Sequence, residues 1–173
     1  MSSKVVERAL RGFEMLVVSF NDKAVENISR QLNMGVSILN FVAVDTPEEL
    51  SRGIAAMRFR SKGGTRPDDV GQAPAYWGMT EQEYRERADV WPLNPNGELL
   101  AMPIIESREG VANVREIARV KGVAGLIVGA GTLGGVYSTT GAGGRRGRDE
   151  AGWEGAIQQI LAACKEADIP CGY

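Results

Sequence analysis

Apolar residues in this chain gather into short continuous runs, and between the runs they recur at three- and four-residue steps. The pattern is sharpest over residues 98–135. There Leu99–Ile105 is an aliphatic run ending on Glu106 and Ser107, and residues 125–130 form a second run that ends in glycines. Between them Val111, Val114, Ile117 and Ala118 mark one helix face. Continuous apolar strands joined by one helix predict parallel strands covered on both faces. Polar groups at the C-terminal ends of such strands are where α/β folds place their chemistry, so Glu106 and the glycine-rich segment from position 129 to Thr132 are the first candidates.

The same alternation runs through the rest of the chain. Residues 13–20 (FEMLVVSF) predict the first strand, 23–34 a helix closed by Gly35, and 37–44 (SILNFVAV) a second strand. Asp45, Thr46, Pro47, Glu48 and Glu49 combine a capping side chain, a proline and first-turn acids, which predicts a helix running to about Phe59. Residues 60–97 change character, becoming rich in Gly, Pro, Asp and Trp around one short helix with Thr80 and Glu83 at capping-box spacing. The aromatics Tyr76, Trp77, Tyr84 and Trp91 make this a folded insert rather than a linker, and 91–97 a rigid turn into the central strand. Residues 134–148 read as a basic glycine loop, 149–167 as a helix, and 169–173 as the start of another strand. Strands and helices in regular alternation mean an α/β fold in one domain spanning 1–173, either an open doubly wound sheet or part of a (β/α)8 barrel.

Composition narrows the chemistry. A net charge of -2 over 173 residues gives no general attraction to nucleic acid or anionic membranes, and no apolar run reaches the length of a membrane span. A cytoplasmic protein is the default expectation. Cys164 and Cys171 lack metal-type spacing and read as ordinary thiols. Histidine is absent, so a general base has to be a carboxylate, a lysine or a metal-bound hydroxide.

Three motifs stand out. Glu106 closes a buried strand, which is costly unless the carboxylate pairs with a base such as Arg108 or meets a hard cation. Gly129, Ala130, Gly131, Thr132, Leu133 and Gly134 match G-x-G-x-x-G after an apolar strand, which keeps a dinucleotide-binding module as an alternative. The following 136–144 (VYSTTGAGG) does not predict the helix that such a site needs, although exposed amides in this loop still suit a carboxylate or phosphate. Arg145, Arg146 and Arg148 read as a solvated loop, and Trp77, Trp91 and Trp153 as packing residues. Arg66, in an insert predicted to lie over the strand ends, is the better candidate for an anion.

Over PIIESREGVANVREIARVKGVAGLIVGAGTL the sequence resembles the HpcH/HpaI aldolase and citrate-lyase β-subunit superfamily, the metal-dependent class II pyruvate aldolases. The resemblance extends more loosely from about Asn27 to the C-terminus, and Gly64, Thr65 and Arg66 are similar to the family's G-[IVT]-R. It implies a partial (β/α)8 barrel of about five parallel strands, usually oligomeric. It also implies a lyase that cleaves 4-hydroxy-2-oxo acids to pyruvate and an aldehyde through a metal-stabilised enolate. Glu106 would be one of two carboxylate ligands of Mg2+ or Mn2+. Gly129, Ala130, Gly131, Thr132 and Arg66 would meet the small 2-oxo acid, with the amides of Gly131 and Thr132 receiving its carboxylate. Neither nucleic acid nor membrane is an implied partner, and a homo-oligomer is.

The chain departs from the family pattern in three ways. Thr132 stands where the family's second metal ligand is Asp, and a hydroxyl is a poorer ligand for a hard dication. The family's histidine base has no counterpart, and Val17, Val18, Ser19 and Phe20 precede Asn21 and Asp22 where a substrate-binding arginine is expected. A full barrel takes about 250 residues, so the present strands correspond to a stretch beginning after the first two and ending inside the seventh. A non-catalytic barrel fragment that works by self-association is the alternative reading.

Overall fold

The computed structural model describes residues 15–19, 22–141 and 144–173, with side chains from residue 27 onward. Expectations placed on residues 1–14, 20 and 21 lie outside that range. In order, the elements are β1 (Met15–Ser19), α1 (Asp22–Asn33), β2 (Ile38–Val42), α2 (Pro47–Met57), a 3-10 turn (Arg60–Lys62), α3 (Ala73–Trp77), α4 (Glu81–Arg87), β3 (Val90–Trp91) and β4 (Leu99–Ile105). There follow α5 (Arg108–Ala112), α6 (Val114–Ala118), β5 (Leu126–Val128), α7 (Ala130–Val136), β6 (Ser138–Thr140), β7 (Arg146–Arg148), α8 (Glu150–Glu166) and β8 (Cys171–Gly172). No helix among the described residues is long and apolar enough to cross a membrane.

Strands β1, β2, β4, β5 and β8 pair in that order, all parallel, and β3 adds two residues beside the start of β4. Strand order in space follows strand order in sequence and never reverses. A doubly wound sheet reverses at a switch point; a barrel does not. Core composition agrees with the second. Leu99, Ala101 and Ile105 pack with the buried faces of the helices, among them Leu50, Ile117, Ile157 and Ile160. Leu100 alternates to the other side, where it meets Ile38 and Ala124 with Trp91 and Met102 alongside and no buried helical residue. Helices therefore cover one face only, and the sheet is an open arc of a barrel in which β1 and β8 each have one paired neighbour among the described residues.

Local chemistry sets the helix ends where the sequence placed them. Thr46 caps α2 in a reciprocal box with Glu49, and Thr80 caps α4 in the same way with Glu83. Gly35, at φ +104, turns the chain out of α1. Helix α8 buries Ala156, Ile157, Ile160, Ala163 and Cys164 as one stripe.

Four expectations are corrected. The central helix is two short ones that meet at Asn113. Residues 138–140 and 146–148 pair as an antiparallel hairpin, since β-branched Thr139 and Thr140 favour extended backbone. A helix does start within the glycines, at Ala130, but it spans only seven residues. Cys164 and Cys171 are not separate thiols: α8 ends at Glu166, the chain reverses, and β8 returns with the two Cα atoms 5.9 Å apart and a disulfide between them.

Candidate active site at the strand ends

Glu106 leaves the C-terminal end of β4, half-buried between its two neighbouring strand ends. From the β5 side, Gly129 donates its N–H to the Ile105 carbonyl at 2.9 Å, and a Cβ on Gly129 would lie 2.6 Å from the Cβ of Glu106. A side chain at 129 would push Glu106 out of place, so glycine is required by close approach. From the β2 side, Ala43 sits in the left-handed region at φ +56 and donates its N–H to Glu106 Oε1 at 2.9 Å. Left-handed backbone is unfavourable for alanine, and its consequence here is an amide aimed at the carboxylate.

The loop that carries Ala43 is tied to the Glu106 loop by side chains. Ser107 donates its hydroxyl to Asp45 and accepts the Gly110 N–H at 2.8 Å, capping α5. Asn113 donates to the Asp45 carbonyl at 2.8 Å, and the Asp45 N–H goes to Glu49 at 2.9 Å. Each of these groups is occupied by its neighbours. Among the described residues Glu106 has one hydrogen-bond partner, the Ala43 amide, and no basic side chain pairs with it. Arg108, one of the two partners the sequence offered for it, lies 4.0 Å over the Tyr137 ring and donates to the Val136 carbonyl at 3.3 Å.

Helix α7 begins one residue past Gly129, and no side chain caps it. Gly131 and Thr132 are exposed in its first turn, and a Cβ on Gly131 would meet nothing within 4 Å. Trp153 donates to the Ala130 carbonyl at 3.2 Å and lies beneath Arg148, 4.0 Å away, which binds α8 to the start of α7. The fold thus brings together Glu106, Gly129, Ala130, Gly131 and Thr132.

Arg66 is elsewhere. Its backbone bridges Phe59 just past the end of α2, and its guanidinium donates to Asn33 at 2.7 Å and to Tyr84 at 3.1 Å while lying 4.1 Å over the Phe59 ring. Asn33 ends α1 and precedes β2, so this cluster lies toward the N-terminal edge of the sheet, away from Glu106. Burial lowers the Arg66 pKa, against attraction from Tyr84 and Asp69. An arginine buried to 1% exposure behind Tyr84 and Phe59 is an internal anchor of the insert.

The donor set sets limits on a resident Mg2+ or Mn2+. Such ions prefer several oxygen ligands with compensating negative charge. The site contributes the Glu106 carboxylate, one oxygen of which holds the Ala43 amide, and the neutral Thr132 hydroxyl. No group of three His, Cys, Asp or Glu capable of holding a metal occurs among the described residues. These residues by themselves do not make a site for the ion.

Sequence reasoning missed Ala43, which carries no local signal, because a left-handed residue is normally announced by Gly or Asn. It also missed the Asp45–Ser107 tether, which joins residues 62 positions apart.

Comparison with known proteins gives the arrangement a setting. The family model described as HpcH/HpaI aldolase/citrate lyase matches residues 13–171. A hydroxypyruvate/pyruvate aldolase of Sagittula stellata is 32% identical over 114 residues, 66% of this chain and 41% of its own length. A 5-keto-4-deoxy-D-glucarate aldolase of Salmonella gallinarum is 28% identical over 151 residues, 84% of this chain and 51% of its own. The chain thus spans about half or less of these curated relatives. Among solved structures, a HpcH/HpaI aldolase/citrate lyase family protein from Burkholderia cenocepacia superposes with a TM-score of 0.67 at 21% identity, covering 98% of this chain and 74% of that one. Macrophomate synthase gives 0.63 at 20%, covering 95% and 54%. At such identities these two likenesses speak for the fold alone.

Proposed function

Because the chain belongs to the HpcH/HpaI aldolase/citrate lyase family, we propose that it serves an aldolase-type carbon–carbon lyase reaction, cleaving a 4-hydroxy-2-oxo acid to pyruvate and an aldehyde. The observation that carries this reading is Glu106, a carboxylate with no cationic partner among the described residues, held one strand away from the uncapped start of α7. In the reaction the C4 hydroxyl passes its proton to solvent water and the C3–C4 bond breaks, releasing the aldehyde. The bond's electron pair moves toward the C2 carbonyl, leaving the pyruvate enolate, which then takes a proton at C3. The amides of Gly131 and Thr132 receive the C1 carboxylate, as uncapped N–H groups of a helix's first turn are suited to do. That places the C2 oxygen toward Glu106. An ionised Glu106 raises the energy of an enolate there unless positive charge or a proton lies between the two oxygens.

Deuterium exchange at the methyl group of pyruvate, followed by NMR, tests the reading without knowledge of the aldehyde. Wild type and Glu106→Gln are compared with and without added Mg2+ or Mn2+. Exchange that needs Glu106 is the expected result. No exchange under any condition, from protein shown folded by circular dichroism, would sink it.

A second reading rests on the sheet edges. β1 and β8 leave backbone groups along one side without a strand partner among the described residues, and such edges pair readily with another chain. Self-association through them predicts a homo-oligomer by sedimentation and no response to pyruvate or cation.

A further inference from the structure

We infer that Cys164 and Cys171 form a reversible thiol–disulfide exchange site, and that a low-molecular-weight thiol releases the edge strand β8 by opening the bond between them. Two observations carry this. The first is unequal access. Cys164 lies near the end of α8 at 3% exposure, within the stripe that faces the core. Cys171 is half-buried on β8, which has a paired neighbour on one side only among the described residues. An incoming thiolate therefore reaches the Cys171 sulfur, forming a mixed disulfide there, and the Cys164 sulfur leaves and takes a proton from water. A second thiol attacks the outer sulfur of the mixed disulfide and frees Cys171. One protein disulfide and two small thiols become one protein dithiol and one small disulfide, and the reverse reaction, with a small disulfide as oxidant, closes the bond again.

The second observation is how little else holds the returning chain. Past α8 it reverses through Asp168, in the left-handed region at φ +54, and Ile169 donates its N–H to the Cys164 carbonyl at 3.0 Å. β8 then meets β5 through two residue pairs, Leu126 with Cys171 and Ile127 with Gly172, and Leu126 donates its N–H to the Pro170 carbonyl at 3.0 Å. A ladder this short at an edge opens locally with ease, and the disulfide, joining positions seven apart, is what limits the opening. The opposite side of the same segment is held independently: Ala124 and Gly129 donate to the Ala101 and Ile105 carbonyls at 2.9 Å each. Reduction thus frees residues 168–172 and leaves the rest of the sheet in place. Residues 168–170 also form one wall of a cleft that Trp91 and Ala124 line from across, so the exchange reshapes the N-terminal mouth of the arc.

The test is amide hydrogen exchange by NMR on the full chain, oxidised with glutathione disulfide or reduced with millimolar glutathione, with mass spectrometry after alkylation reporting the thiol state. Glutathione should open the bond without denaturant, and the mixed disulfide trapped on the way should sit on Cys171. In the reduced protein the Leu126 amide should exchange at least about tenfold faster, while those of Ala124 and Gly129 change by less than about twofold. Glutathione disulfide should restore the slow Leu126 rate. Cys171→Ser, close in size, should show the fast Leu126 rate in both conditions with Ala124 and Gly129 still slow. Equal Leu126 rates in oxidised and reduced wild type overturn the inference. So does loss of protection at all three amides together, which makes the bond a staple of the whole fold, and so does a disulfide that glutathione leaves intact in the folded protein.

Discussion

Charged side chains occur at both ends of this sheet, and they are treated in opposite ways. At the N-terminal end of the sheet the buried carboxylates Asp89 and Glu98 are both answered by arginines. Asp89 accepts from Arg58 at 2.7 and 3.2 Å, from its neighbour's amide at 2.9 Å and from Asn94 at 3.2 Å, and Glu98 pairs with Arg87. Burial pushes the Asp89 carboxyl up, but these hydrogen bonds outweigh it and hold its pKa below the usual carboxylate range. At the C-terminal end Glu106 is oriented by an amide and has no cationic partner among the described residues, although Arg108 is two residues away. A carboxylate engaged on every side is holding the fold together. One that is aimed but not neutralised is free to meet a ligand, and this contrast, more than burial or sequence position, separates the two regions.

The contrast is broken most directly by deleting one member from each. Asp89→Ala strands Arg58 and should cost about 3 kcal/mol, toward the low end for breaking a buried pair because Arg58 is partly exposed. Urea unfolding measures it, and a change under about 0.5 kcal/mol would mean that the pair is not structural. Glu106→Gln should do the reverse. It keeps size and hydrogen bonding, so stability stays within about 0.5 kcal/mol, while pyruvate exchange falls by about 100-fold or more. Loss of stability in this variant would place Glu106 with the structural charges.

Acid sharpens the same difference. Because the Asp89 pKa is depressed in the folded state, its contribution is present above the unfolded value of about 3.9 and is lost as pH falls through the folded value. The urea midpoint should therefore drop below about pH 4, and less steeply in Asp89→Asn. The smallest effect concerns the caps. Thr46→Ala and Thr80→Ala should each cost about 1 kcal/mol. Thr46 starts the helix behind the Ala43 loop, so its loss alone should also slow exchange; equal exchange rates in the two variants would show that the cap does not position the site.

Much of the fold was legible because its causes are local. Both capping boxes and the helix closed at Gly35 lie where short spacings put them, and the unbroken apolar run of β4 announced a buried strand. Glu106 and the glycines at 129 and 131 were legible for the same reason, each following directly on an apolar strand. Errors fell where the outcome depends on distant partners. Arg66 had the right charge for an anion site, and its place was set by Tyr84, Asn33 and Phe59 closing over it. The two cysteines looked unrelated until the turn after α8 brought β8 back beside it.

Sequence alone determined the strands of the parallel sheet, the starts of the capped helices, and which carboxylate ends the central strand, because propensity, capping and periodicity act within a few residues. Tertiary structure decided the rest. The unreversed strand order shows an arc of a barrel, the left-handed turn at Ala43 aims an amide at Glu106, and stacking on Tyr137 removes Arg108 from it. Each of these joins residues tens of positions apart, and a pairing at that range is settled by packing of the whole sheet rather than by any local preference.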